Sequence, residues 1–76
     1  MEVTKRDDGT FDVEFLAFVE EQEGWLACAA EHNGLCTRSF THWARPKVVL
    51  FTFNFENRND VNEFVKKSLE NFNKTS

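Results

Sequence analysis

Two cysteines, one proline and three glycines in 76 residues exclude several kinds of protein. Cys28 and Cys36 are too few for the disulfide framework of a small secreted scaffold. Three glycines leave little for a phosphate-cradling loop. No run approaches the roughly 20 apolar residues that span a bilayer, so no membrane role is expected. The N-terminus, Met1-Glu2-Val3-Thr4-Lys5-Arg6-Asp7-Asp8, lacks the apolar stretch of a signal peptide, and a cytoplasmic location is the expectation. So short a chain builds one core, which makes residues 1–76 a single small domain with a frayed tail from 73 to 76.

Large rings are plentiful. Nine Phe and two Trp give a core of bulky side chains, each contributing about 1.5–3 kcal/mol when fully buried. The net charge is −4, and its distribution is uneven. Eight acidic residues and no basic one lie between Asp7 and Glu31, whereas Arg38, Arg45 and Lys47 stand in an acid-free stretch from His32 to Phe55. An acidic total opposes general binding to a phosphate backbone and suits a basic partner.

Residues 11–20 begin with strict alternation, placing Phe11, Val13, Phe15, Ala17 and Val19 on one face of a strand. Glu21-Gln22-Glu23-Gly24 reads as a turn. Residues 25–31 follow as a second strand, although their small side chains have high helix propensity. Asn33-Gly34 is the pair that favours a two-residue type I′ hairpin turn. Strand three then covers 35–41, a loop carrying Pro46 covers 42–47, and strand four covers 48–55. An extra strand at 3–6, turning back through Asp8-Gly9, is a further reading. Asp60 and Glu63 have capping-box spacing, with Asn59 the alternative cap. Val61, Phe64, Val65, Leu69 and Phe72 then share one helical face. The expected fold is therefore α+β: a four-stranded antiparallel sheet in ββββα order with one C-terminal amphipathic helix packed on one face.

A hairpin at Asn33-Gly34 places Cys28 opposite Ser39 and Ala27 opposite Phe40. On that register Cys28 and Cys36 face opposite ways, and Cys28, His32, Cys36 and His42 do not converge as a zinc site or a disulfide would require. No metal and no cofactor are expected. Neither a Cys–His pair within reach nor a Ser/His/Asp set stands out, so no catalytic residue is assigned and no enzyme activity is expected.

One helix covers only one face of such a sheet. The other exposes Leu16 and Phe18 beside Trp25 and Phe40, an apolar interface suited to a second copy or another protein. A fold-back of the Trp43 loop across that face is the alternative. Two charged groups flank it. Asp7, Asp8, Asp12, Glu14, Glu20, Glu21 and Glu23 form an acidic surface for a basic protein partner. Arg38, His42, Trp43, Arg45 and Lys47 form a basic and aromatic group for a protein or for single-stranded nucleic acid. The leading expectation is a non-enzymatic protein-binding module, a small homodimeric inhibitor, antitoxin or immunity-type regulator. The alternative is a single-stranded nucleic-acid-binding domain.

Gly24-Trp25-Leu26-Ala27 followed by Gly34-Leu35-Cys36-Thr37 resembles the β-hairpin of HicB-type antitoxins. That family continues directly into a helix, whereas here Pro46 and a fourth strand intervene, and no site residue is carried over. The ββββα order is similar to that of dimeric single-stranded-DNA-binding transcriptional coactivators. Small acidic phage inhibitors and immunity proteins are similar in size and charge.

Overall fold

The computed structural model describes residues 1–72, without the side chains of Asn71 and Phe72. The elements in chain order are β1 (Glu2–Lys5), β2 (Phe11–Phe18), a 3-10 turn (Val19–Glu21), α1 (Gln22–Glu31), β3 (Leu35–His42), β4 (Arg45–Phe55) and α2 (Arg58–Phe72). The four strands form one antiparallel sheet in the order β1-β2-β4-β3. Four strands and a C-terminal helix on the sheet are thus as expected, but the order is ββαββα. The tail from Asn73 and the side chain of Phe72 lie outside the described residues.

The correction concerns residues 25–31, which belong to α1 and not to a strand. β2 and β3 both pair antiparallel with β4, so they run parallel to each other with β4 between them. Parallel strands need a crossover, and no two-residue hairpin can supply one. Asn33-Gly34 instead ends the helix. Asn33 takes a left-handed φ of 63°, its N–H reaches the Ala30 carbonyl at 3.2 Å, and the Gly34 N–H reaches the Ala29 carbonyl at 2.7 Å. This pair of bonds is a Schellman cap. Gly34 meets a second demand, because a Cβ there would lie 2.6 Å from the Phe55 ring. Glu21 to Gly24 is likewise no hairpin turn, since it spans the end of the 3-10 turn and the first turn of α1. The expected pairing of Cys28 with Ser39 gives way to Ser39 with Phe51, and Phe40 pairs with Leu50. The hairpin compared with that of the antitoxins is therefore not formed.

The extra strand at the N-terminus is present as β1. Its turn closes with the Gly9 N–H on the Arg6 carbonyl at 3.1 Å and the Arg6 N–H on the Thr10 carbonyl at 2.8 Å. Gly9 supplies the positive φ, 88°, that a compact turn of this kind requires. β3 and β4 form a hairpin whose tip is Trp43-Ala44, with His42 opposite Arg45. Pro46 sits in an irregular stretch where no residue of β3 faces it, as its missing N–H demands. α2 starts earlier than the Asp60–Glu63 spacing suggests. The Asp60 N–H donates to Asn57 Oδ1 and the Asn57 amide donates to Asp60 Oδ2, both at 2.9 Å.

The core lies between the helices and one sheet face. Val13, Phe15 and Ala17 of β2 join Val49, Phe51, Phe53 and Phe55 of β4, with Trp25, Cys28 and Ala29 of α1 and Val61 and Phe64 of α2 above them. Phe15 is central, its ring centroid 4.5 Å from Trp25, 5.7 Å from Phe53 and 5.8 Å from Phe51. Leu69 stays exposed although it falls on the expected apolar stripe, and buried Ser68 lies inward instead.

Candidate interaction face

Strand alternation and the observed register fix the opposite sheet face, which no helix among the described residues covers. Its side chains form rows across β2, β4 and β3. Leu16, Leu50 and Phe40 make one row, with Phe18 beside Val48 next along the strands. Leu16, Phe18 and Phe40 are more than half exposed, at 56%, 57% and 54%. Toward the other end the face turns largely polar: Glu14, Thr52 and Arg38 make a row that β1 extends with Glu2, and Asp12 and Asn54 share the next row with Thr4 and with exposed Leu35. The polar half is a shallow depression of about 370 Å³ lined by Glu2, Arg6, Asp12, Glu14, Arg38 and neighbouring threonines.

Hydrogen bonds order the polar rows. Asp12 accepts from Arg6 at 2.9 Å and from the Asn54 amide at 2.9 Å. The Asn54 bond does most to hold the Asp12 carboxyl below the ordinary carboxylate range; partial burial opposes it and Arg6 reinforces it. Asp8 is lowered as well, chiefly by the Thr10 hydroxyl. Thr52 donates to Glu14 across 3.5 Å, a long contact. The Arg38 guanidinium lies over the Phe40 ring, 5.7 Å from its centroid.

The expected site residues separate accordingly. Leu16, Phe18 and Phe40 share the open face, but Trp25 does not join them. It is 8% exposed and packs on Phe15 and Phe64, because α1 carries it to the covered side. Trp43 does not fold back across the open face, since at 92% exposure it stands in solvent at the hairpin tip. Its ring lies nearly parallel to that of His42, with centroids 6.1 Å apart. Arg45 adjoins this tip and Lys47 lies nearby on β4, while Arg38 belongs to the polar row of the open face, four residues from His42 along β3. The acidic residues divide three ways. Asp7 and Asp8 occupy the β1–β2 turn, Asp12 and Glu14 the open face, and Glu20, Glu21 and Glu23 the entry to α1. There the last three complement the positive end of the helix dipole.

Val48, Leu50 and Thr52 extend the face beyond the expected list, and period-two alternation along β4 was the signal for them. Glu2 and Arg6 carried no such signal, because β1 has almost no apolar pattern. Cys28 is buried in α1, and burial raises its thiol pKa, with Glu31 adding to the effect. Cys36 is half-buried on β3. Among the described residues no group of three or more His, Cys, Asp or Glu side chains could hold a metal ion, and no helix is long and apolar enough to cross a membrane. No protein-family model, curated protein or solved structure matches the chain.

Proposed function

We propose that the protein is a non-enzymatic protein-binding module of the cytoplasm, a small regulator of the inhibitor, antitoxin or immunity type. The observation that carries this reading is the contiguous apolar half of an uncovered sheet face, formed by Leu16, Phe18, Phe40, Val48 and Leu50. Exposed faces of antiparallel sheets ordinarily alternate to polar side chains, and a cluster of large apolar ones marks a contact surface. Acidic groups at both ends of β2 favour a partner with an excess of lysine and arginine. Leu16→Asp/Phe40→Asp tests the reading, because both side chains project away from the core. Affinity capture should recover a basic protein on the wild type and not on this variant, with matching circular dichroism spectra. Equal capture by both refutes it.

The exposure of Trp43 beside His42 and Arg45 supports a second reading, single-stranded nucleic-acid binding by base stacking. It requires salt-sensitive oligonucleotide binding that Trp43→Ala and Arg45→Glu each abolish. Binding unaffected by either variant removes this reading.

A further inference from the structure

We infer that the open face is a homodimer interface with a specific two-fold axis, one that runs parallel to the strands over β4. This rests on the open face being a docking surface and names its occupant when no other protein is bound, a second copy of the chain, which a basic partner docking there has to displace. The support is the self-complementarity of the rows.

A two-fold axis lying between two stacked sheets and parallel to β4 exchanges left and right while keeping each row at its own level. β2 of one copy then lies over β3 of the other. In the apolar row Leu16 meets Phe40 of the second copy, and Leu50 lies on the axis against itself. In the polar row Glu14 meets Arg38 of the second copy, and buried Thr52 occupies the axis. Every apolar residue of the central row finds an apolar neighbour, and two equivalent carboxylate–guanidinium pairs form at its margin. Strand twist inclines the two sheets by about 30°, the ordinary aligned packing.

This axis leaves one mismatch at the margin, Leu35 opposite Asp12 of the second copy; other axes leave defects in the central rows. An axis perpendicular to the strands through the Leu16–Leu50–Phe40 row turns the polar row onto Phe18 and Val48, which sets the Glu14 carboxylate against a phenyl ring. An axis parallel to the strands but between β2 and β4 leaves Phe40 without a counterpart, because β1 ends before that row. The axis over β4 alone satisfies both the apolar and the charged row. It also brings Phe18 toward the end of the second copy that carries Trp43, so an exposed indole would lie beside an exposed phenyl.

A charge-swap experiment follows from the geometry. Glu14→Arg and Arg38→Glu each place like charges across both pairs, and each should weaken the dimer about tenfold or more. Mixing the two variants restores both pairs. In the mixed dimer the arginine introduced at position 14 of one copy meets the glutamate introduced at position 38 of the other. The unchanged Arg38 of the first copy meets the unchanged Glu14 of the second. Sedimentation equilibrium should show a wild-type dimer at micromolar concentration, two weakened single variants of unchanged circular dichroism, and recovery in the mixture as a heterodimer detected by native mass spectrometry. A wild type that stays monomeric overturns the dimer, while loss of basic-protein capture in Leu16→Asp/Phe40→Asp would still uphold docking on this face. A wild-type dimer whose variants are not rescued by mixing overturns the axis.

Discussion

Gly34→Ala tests the helical connection between β2 and β3 more directly than any surface change. The backbone at Gly34 does not lie in the left-handed region, so alanine meets no torsional obstacle there. What it meets is the Phe55 ring, at 2.6 Å and 2.7 Å from the added methyl, and the Ala29 carbonyl at 3.0 Å. Phe55 is fully buried and packs on Phe64 with centroids 5.1 Å apart. Its ring can yield only by disturbing the core, and overpacking of this kind costs about 1–3 kcal/mol. In a domain of this size each kcal/mol lowers Tm by about 4–8 °C. Urea unfolding followed by far-ultraviolet circular dichroism measures the loss. The decisive comparison is Gly34→Ala/Phe55→Leu, in which the smaller side chain frees space for the methyl. The double variant should be more stable than the sum of the single effects by about 1 kcal/mol. A type I′ hairpin at this position would also penalise alanine, but through its backbone, and trimming Phe55 would give no relief. A neutral Gly34→Ala, or strict additivity with Phe55→Leu, refutes the reasoning. Asn33→Gly is the control, since glycine accepts the left-handed φ and should hold stability within about 0.5 kcal/mol.

Three further outcomes are expected. Because Asp12 is more acidic folded than unfolded, its stabilising contribution is present above the ordinary carboxylate pKa and is lost as pH falls through the lowered folded value. Asp12→Asn should therefore lower Tm at neutral pH and flatten the acid limb of the Tm profile, and an unchanged acid limb would contradict the Asn54 and Arg6 bonds. Iodide should quench Trp43 readily and Trp25 hardly at all, so Trp43→Phe should leave a blue-shifted, protected emission; a strongly quenched residual emission would place Trp25 elsewhere. A thiol reagent should modify Cys36 well before Cys28, whose burial and raised pKa suppress the thiolate. Equal rates in the folded protein would disagree with the placement of α1.

Elements with a clear period were legible in the sequence. Alternation over Phe11, Val13, Phe15 and Ala17 marks β2, and the Phe51-Phe53-Phe55 stripe marks β4, because a half-buried strand has to sort its side chains by parity. Val61, Phe64 and Val65 mark α2 by the same logic at helical spacing. That one such helix covers only one face of the sheet also followed from the sequence, with a fold-back of the Trp43 loop as the alternative cover for the other. α1 was not legible. Trp25 to Ala30 is apolar on nearly every side, so it has no period to distinguish helix from strand, and Asn-Gly suits a hairpin turn and a helix C-cap equally.

Tertiary structure made that decision. Placing β4 between β2 and β3 lets Phe51, Phe53 and Phe55 sit at the centre of the buried face, and it makes β2 and β3 parallel. The segment joining them must then cross the sheet, and a ten-residue helix does so while burying Trp25, Cys28 and Ala29. The same choice sends Trp25 to the core and leaves Leu16, Phe18 and Phe40 outside. The sequence alone determined that both sheet faces would carry large apolar residues, because its strands place them on both parities; that the Trp43 loop leaves one face open was decided by the tertiary structure. Which side chains form that face depended on strand order, a long-range pairing that no local pattern encodes.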